Sequence, residues 1–273
     1  MKFFKVKLFI LLLFSLYSIA SIAEANCAAS SDGYPYNKHQ EPIQKKVSAN
    51  SKTYFYSLPD SECKTTIFII NDDKVLKYRD SGLFSYVNYI NKKGELIDGW
   101  VKSENLVKDD GLVNGLNYRD FSWGLNGKAV SVLGKAMPEI DELIQKEGLK
   151  ASEPNGHGYN KGFESWVLNI QNAIVTMSQV DNVLQRRLGF NDTYISGIAF
   201  TDNEYKTVRG VSVGDGWEKV VSIYGKNSQI DSESGCRFYQ YFDMRLSFCL
   251  DLSNKVHSVL FEDYPVKPES KLN

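Results

Sequence analysis

The chain has 273 residues, of which 32 are basic and 33 acidic, and its net charge is −1. This balance excludes the strongly basic surface that nucleic acid or anionic lipid requires, and no run of acidic residues indicates an interaction tail. Aromatic residues make up 13% of the chain, and Val, Ile, Tyr and Phe recur in many short runs, which favours a β-rich fold.

Residues 1–25 are predicted to be an export signal. Lysines between positions 2 and 7 precede the apolar run 8–16, and Ala23-Glu24-Ala25 matches a small-residue cleavage site. We expect cleavage before Asn26, because the apolar run is about half of the ~20 residues that a membrane span needs. Removal of three of the 32 basic and one of the 33 acidic residues leaves a net charge of −3. The mature protein is therefore expected to be periplasmic or secreted, with no stable membrane anchor.

Four cysteines, Cys27, Cys63, Cys236 and Cys249, remain after cleavage. An even number in an exported chain indicates disulfides, although four cysteines allow three pairings. If Phe242-Asp243 is the tip of a hairpin, Cys236 and Cys249 lie directly opposite each other, at a separation that a disulfide can close. We therefore predict the bridges Cys236–Cys249 and Cys27–Cys63. The alternatives are lipid attachment at Cys27, where a lipobox is lacking, and a metal site, for which CxxC spacing is lacking.

The first module is predicted to span residues 26–108 and to consist of short strands. The predicted strands are 54–57, 65–70, 75–78, 84–90 and 96–102, separated by turns rich in Pro, Asp, Asn and Gly. The last two form a hairpin that ends in Gly99, Trp100, Val101 and Leu106. This Gly-Trp-Val plus Leu pattern resembles the end of bacterial SH3-like (SH3b) domains. The resemblance implies a small β-barrel that recognises a ligand and does not catalyse a reaction.

Five aromatic residues of this module are the candidate partner-binding residues: Tyr54, Tyr56, Tyr86, Tyr89 and Trp100. Aromatic rings offer a large contact area at little cost in rotamer entropy, and an SH3-like barrel groups such rings in a shallow groove. We expect Tyr56 and Trp100 to face solvent. The alternative for each residue is that it belongs to the core.

Residues 109–120 are predicted to be a linker, and residues 121–265 a second, α+β module. Its predicted elements are a hairpin at 121–133 around Asn126-Gly127, a helix at 137–147, strands at 166–170 and 173–177, a helical pattern at 180–188, a strand at 207–213, a helix at 217–224, and strands at 236–242, 244–250 and 256–261. The order of strand, glycine turn, amphipathic helix and strands occurs twice. We therefore predict two degenerate repeats, 121–190 and 191–265, followed by a tail at 266–273.

The second module contains the phrases TVRGVSVGD and WEKVVSIYG, within residues 207–225. With the order of its predicted elements, these phrases resemble the tandem α+β repeats of beta-lactamase inhibitory protein and BamE-like domains. The predicted fold class of the whole chain is thus β-rich α+β, with an SH3-like barrel followed by two helix-plus-antiparallel-sheet units.

No catalytic, metal or cofactor site is predicted. The three histidines, His39, His157 and His257, lie in a polar stretch, a loop and a strand, and we expect each to be solvated or structural rather than a catalytic base. Acidic residues fall in turns or on one polar helix face, and the glycines near His157 do not form a phosphate-binding loop. A cysteine nucleophile is also not expected if all four thiols are oxidised.

The sequence therefore predicts an exported, non-enzymatic binding protein. The first hypothesis is an inhibitor or immunity-type factor in the periplasm, whose partner is a toxin or a cell-wall enzyme. The alternative is an SH3-like protein that binds a peptidoglycan peptide. An enzyme of unrecognised type is the third hypothesis.

Overall fold

Strands make up most of the computed structural model, which describes residues 27, 42–93, 95–125, 128–131, 133–135, 137–160, 163–171, 173–179, 193–203 and 205–263. The first half contains β1 (Ile43–Val47), β2 (Thr53–Tyr56), β3 (Lys64–Ile69), β4 (Lys74–Ser81), β5 (Phe84–Ile90), β6 (Leu96–Lys102) and β7 (Leu106–Lys108). The second half contains β8 (Ser122–Leu125), β9 (Lys128–Ser131), α1 (Met137–Glu147), β10 (Asn155–Asn160), β11 (Phe163–Ile170), β12 (Ala173–Gln179), β13 (Thr193–Phe200), α2 (Trp217–Tyr224), β14 (Gln229–Ile230), β15 (Arg237–Tyr241), β16 (Met244–Leu250) and β17 (Val256–Asp263).

The first seven strands form an open antiparallel sheet in the order β3-β2-β6-β5-β4-β1-β7. One face carries a small core that includes Phe55, Val75, Val87 and Val101. Gly99 allows this packing, because a Cβ atom at that position would lie 3.1 Å from the ring of Phe55.

The predicted SH3-like barrel is wrong. β3 and β7 are the two ends of the sheet and do not pair with each other in the described residues, whereas a closed barrel has no unpaired ends. The sequence pattern specified the hairpin of β5 and β6, whose strands pair from Phe84 with Lys102 to Ile90 with Leu96. Local pairing of this kind leaves open whether a sheet closes.

The second large sheet has eight antiparallel strands in the order β10-β11-β12-β13-β17-β16-β15-β14. The prediction of two separate helix-plus-sheet repeats is wrong, because these strands form one continuous sheet. β12 pairs with β13 across the predicted repeat boundary, and β13 pairs with β17 from Gly197 with Glu262 to Phe200 with Val259. These backbone hydrogen bonds leave no boundary at which one unit could end.

The helices α1 and α2 contribute to the large core on one face of this sheet. Ile140 of α1 and Val220 of α2 are buried there with Phe200, Phe248 and Phe261. The strands β8 and β9 form a separate short hairpin on either side of residues 126–127.

Leu76 and Tyr78 of β4 belong to the large core of the second sheet, so the two sheets share buried contacts. The division into domains at 26–108 and 121–265 stays a prediction.

The β15–β16 hairpin has the predicted register. Tyr241 pairs with Met244, so Phe242 and Asp243 form the tip. Both predicted disulfides are present: Cys236–Cys249 and Cys27–Cys63 have Cα separations of 4.2 and 5.2 Å. The sulfur of Cys27 is therefore used in a disulfide rather than available for a lipid.

One predicted strand, residues 207–213, is instead a tight loop. The backbone amide of Val211 donates to the Oγ1 of Thr207 at 3.0 Å, and the pairing that remains is an isolated bridge between Lys206 and Ser212. Several other predictions fall outside the described residues: the export signal at 1–25, the helical pattern at 180–188, the turn at 126–127 and the tail at 266–273.

Candidate functional site

Three of the predicted binding residues form a row across the first sheet. Tyr56 on β2 lies opposite Trp100 on β6, which lies opposite Tyr86 on β5. The rings of Tyr86 and Trp100 are 5.2 Å apart, and those of Tyr56 and Phe84 are 5.0 Å apart, both in edge-to-face contact. The guanidinium of Arg79 lies 5.0 Å from the centre of the Trp100 ring. This row is a packed aromatic cluster.

The expectation that Tyr56 and Trp100 face solvent is wrong. Tyr56 is 7% exposed, Tyr86 3% and Trp100 2%. Cross-strand neighbours are about 4.5 to 5.5 Å apart at Cβ, so large rings placed opposite one another in a row bury one another. These residues stabilise the sheet and support the surface beside them.

That surface lies at the edge of the sheet and is formed by Lys52, Tyr54, Lys64, Phe68 and Ile70; we name it the aromatic-lysine edge. Tyr54 pairs with Phe68 across β2 and β3, and their ring centres are 5.9 Å apart. The side chain of Phe68 is 40% exposed and that of Ile70 49% exposed. Tyr54 is half-buried against the aromatic cluster. Tyr54 thus lies at an accessible surface, whereas Tyr56, Tyr86 and Trp100 are buried.

A lysine ammonium group lies over each aromatic ring of this edge. The ammonium of Lys52 lies 4.0 Å from the centre of the Phe68 ring, and that of Lys64 lies 3.6 Å from the centre of the Tyr54 ring. Cations at these distances are attracted by the ring quadrupole by about 0.5 to 1 kcal/mol at exposed sites. The contacts hold two positive charges over an apolar surface.

The backbone of β3 is irregular beside this surface. Tyr54 pairs with Phe68 but Tyr56 pairs with Lys64, so the register shifts between them. The hydroxyl of Thr65 donates to the backbone oxygen of Phe55 at 2.9 Å and accepts from the amide of Ile67 at 3.2 Å. Bulges and lysines are common devices that protect an edge strand from pairing with another chain. The edge therefore presents side chains rather than a template for a further strand.

The fifth predicted residue, Tyr89, lies apart from the others. Tyr86 and Tyr89 are three positions apart on β5, and successive side chains of a strand point to opposite faces. Tyr89 consequently packs with the small core on the other face. The structure does not bring the five predicted residues into one groove.

Tyr89 lines an open cleft of about 250 Å³ between the two sheets. The other lining residues are Asp72, Asp73, Lys74, Ile90, Asn91, Lys92, Val113 and Phe242. Burial raises the pKa of the Tyr89 hydroxyl, and the charge of Asp73 and a hydrogen bond to it raise the pKa further. Lys74 is held by the Asp109 carboxylate at 3.3 Å and by the backbone oxygen of Leu112 at 3.1 Å. Tyr89, Asp73 and Lys74 thus have polar partners within the protein.

Buried polar contacts join the two sheets beside this cleft. The hydroxyl of Tyr78 donates to the carboxylate of Asp243, with oxygens at 2.5 and 2.7 Å, and the amide of Asn88 donates to the same carboxylate at 2.9 Å. The hydroxyl of Tyr241 donates to Gln44 at 2.8 Å. Such contacts fix the position of the β15–β16 hairpin tip on the first sheet.

A second buried polar cluster lies within the second half of the chain. Arg209 forms a bidentate pair with the carboxylate of Asp120, at 2.7 and 2.5 Å, and its guanidinium lies 5.0 Å from the centre of the Tyr224 ring. Burial raises the pKa of the Tyr205 and Tyr224 hydroxyls well above the usual value. Both phenols therefore stay neutral, and the cluster is a structural brace between loops.

In the described part of the chain, the candidate catalytic and metal-ligating groups do not come together in one site. All four cysteines are in disulfides, and His257 is exposed on β17. His39 and the side chain of His157 lie outside the described part of the chain. Across the described ranges no group of three potential metal-ligating side chains is found, and no helix there is long and apolar enough to cross a membrane.

Sequence reasoning missed Phe68, Ile70 and the two lysines of the aromatic-lysine edge. The signal was present, because Lys64, Thr66 and Phe68 alternate with Thr65, Ile67 and Ile69 on a predicted strand. Their pattern places a phenylalanine on the same face as a lysine and a threonine. A large apolar residue on the polar face of an edge strand is the feature that identifies this surface.

The chain has little similarity to known proteins. None of the protein-family models matches the chain, and no curated protein matches it. Among solved structures, the chain is similar to an extracellular protein containing an SCP domain from Bacillus anthracis, with 13% identity and a TM-score of 0.31. The likeness covers 57% of this chain, which spans 50% of that protein. A superposition with this TM-score does not establish a shared fold, and it does not test the two resemblances noted in the sequence.

Proposed function

We propose that this protein is an exported, non-enzymatic binding protein whose partner is another protein. The aromatic-lysine edge supports the proposal, because Phe68 and Ile70 expose adjoining apolar surface beside Tyr54. Adjoining exposed apolar side chains mark contact sites, and aromatic residues are enriched in the buried centres of interfaces. The best role for such a surface in this protein is that of an inhibitor or immunity-type factor that binds a toxin or a cell-wall enzyme.

The surface is preorganised for binding. Tyr54 packs on the buried cluster of Tyr56, Phe84, Tyr86 and Trp100, and the backbone beneath it belongs to a sheet of seven strands. A rigid surface loses little conformational entropy when a partner binds. Truncation of a central aromatic side chain in an interface commonly costs 2 kcal/mol or more, on the order of a thirtyfold change in affinity.

Export is part of the proposal. Disulfides form and persist in oxidising compartments and are rare in the cytosol, and this chain has two of them. Together with the predicted cleavage before Asn26, they support a periplasmic location for the mature protein. The peptidoglycan alternative depended on an SH3-like barrel, and the open sheet removes that support.

The proposal is tested by affinity capture from cell-envelope extract with the purified mature protein. We expect one predominant protein partner to be retained by the wild type, and its retention to fall at least about thirtyfold with Phe68→Ala, as for loss of a central aromatic contact. Leu252→Ala is the matched control, because Leu252 is fully exposed in a turn of the second sheet. That variant should capture the partner as well as the wild type does.

Two outcomes would contradict the proposal. Retention of the wild type on purified peptidoglycan sacculi without any protein partner would indicate a cell-wall binder. Equal capture by wild type and Phe68→Ala would remove the aromatic-lysine edge from the binding surface. Circular dichroism and thermal unfolding of both variants establish that the substitutions leave the fold intact.

A further inference from the structure

Lys52 and Lys64 differ from most lysines of the first sheet in how their charge is compensated. Five others lie within 4.0 Å of a carboxylate, in the pairs Lys46–Asp72, Lys74–Asp109, Lys77–Asp80, Lys102–Glu104 and Lys108–Asp110. In the ranges that the structure describes, Lys52 and Lys64 form no such pair and instead lie over the rings of Phe68 and Tyr54. Their positive charges remain available to an anionic group.

The ring contacts also fix where these charges are. An exposed lysine loses side-chain entropy when it is ordered. Here part of that ordering has taken place in the free protein, because each ammonium is held within 4.0 Å of a ring centre. A partner carboxylate would meet a positioned cation beside an apolar surface.

We propose that the aromatic-lysine edge binds an acidic, extended segment of the partner protein, in which two carboxylates flank an apolar side chain. This inference rests on the proposed function and adds the chemistry of the partner. Lys64 and Phe68 are four positions apart on β3, which is at most about 13 Å at 3.3 Å per residue. An extended segment places side chains i and i+4 on one face at the same spacing, with i+2 between them. The carboxylates then meet Lys64 and Lys52, and the apolar side chain meets the rings of Tyr54 and Phe68.

The partner segment binds through side chains and does not extend the sheet. The shift of register in β3 and the lysines beside it are features that disfavour the addition of a further strand at a sheet edge. Charge complementarity therefore carries the specificity of this contact. Such contacts weaken as salt is added, because exposed charges are screened within about 10 Å at 0.1 M salt.

The test uses short peptides displayed densely on beads, so that several weak contacts act together. In the first probe two glutamates are separated by three residues, of which the middle one is phenylalanine. In the second probe both glutamates are replaced by glutamine, and in the third by lysine. We expect the mature protein to bind the glutamate probe best and the lysine probe least, and added sodium chloride to remove the preference.

Charge reversal supplies the decisive variant. The double substitution Lys52→Glu and Lys64→Glu should lower retention on the glutamate probe at least about tenfold, because charge reversal removes two attractions and creates two repulsions. The matched control is Lys92→Glu with Lys93→Glu, which makes the same charge change in the β5–β6 turn. The control should retain the probe within about twofold of the wild type, as distant exposed charges are screened.

Failure of this inference is distinguishable from failure of the proposed function. Equal binding of the three probes, no binding of any probe, or equal loss in the two double variants would overturn the acidic-segment inference. Capture of a protein partner that is lost in Phe68→Ala would still support the proposed function in each of these cases. Absence of any Phe68-dependent partner would contradict both.

Discussion

The carboxylate of Asp243 has no exposed surface, although it lies at the tip of a hairpin. Burial of a charged group is costly unless hydrogen bonds compensate it, and Tyr78 and Asn88 provide three contacts of 2.9 Å or less. The neighbouring Phe242 is also buried, and its backbone has a φ of 51° that bulky residues rarely adopt. At the residue scale, the hairpin tip is thus a specific contact between the two sheets.

Replacement of Asp243 by alanine is expected to lower the free energy of unfolding by about 3 kcal/mol, because it leaves the Tyr78 hydroxyl and the Asn88 amide buried without their acceptor. Urea unfolding followed by tryptophan fluorescence measures the change. The matched control is Asp110→Ala, which removes a carboxylate from an exposed pair with Lys108 and should cost less than about 1 kcal/mol. An equal effect of the two substitutions would show that Asp243 does not stabilise the junction.

Asp109 makes the stability of the protein sensitive to acid. Burial acts to raise the pKa of its carboxyl, but hydrogen bonds from Gln44, from the backbone of Gly111 and from Lys74, together with the charge of Lys74, outweigh burial and hold the pKa below its usual value. A carboxyl with a lowered pKa in the folded state stabilises the protein above its unfolded pKa and loses that contribution as the pH falls through the folded pKa. The relevant range lies below about pH 4.

We therefore expect the free energy of unfolding of the wild type to decrease more steeply below about pH 4 than that of Asp109→Asn. Urea unfolding at a series of pH values measures both slopes. Asp110→Asn serves as the control, since its carboxyl is exposed, and it should keep the wild-type slope. Parallel curves for wild type and Asp109→Asn would contradict this prediction.

At the scale of elements, the β15–β16 hairpin was predictable because two short-range signals agree. A hairpin tip at Phe242-Asp243 sets Cys236 opposite Cys249, at a separation that a disulfide can close. The loop at 207–213 was not predictable in the same way. Val211 and Val213 flank Ser212 as in an alternating strand, but the Thr207 hydroxyl accepts from the Val211 amide and closes a turn.

Removal of the hairpin disulfide by Cys236→Ala with Cys249→Ala should lower the free energy of unfolding by about 3 kcal/mol, as expected for a loop of this size; the two cysteines are 13 residues apart. The Cys27–Cys63 disulfide joins residues that are 36 positions apart. Its removal by Cys27→Ala with Cys63→Ala should lower the free energy of unfolding by at least as much. Intact-mass measurement before and after reduction should show two bridges in the mature wild type. Free thiols in that protein would contradict the pairing.

At the scale of the whole molecule, the sequence indicated a β-rich chain but not how its sheets end. The hairpin of β5 and β6 is equally compatible with a barrel and with an open sheet, because closure depends on whether β3 meets β7. Nor could alternation alone show which face of β6 is covered. Trp100 is buried because Tyr56 and Tyr86 lie on either side of it in the sheet, and Tyr56 on β2 is distant from it in sequence. Phe68, at the sheet edge, has a neighbour on one side.

The central claim is that a protein partner contacts the aromatic-lysine edge, and site-specific photocrosslinking in intact cells tests it most directly. A photo-reactive benzophenone side chain is placed at position 68, and in separate variants at exposed positions 83 and 252. We expect irradiation to join one partner protein to the position 68 variant and to give no such product with the other two. A partner joined at position 83 or 252 but not at position 68, or no adduct at position 68, would contradict the claim.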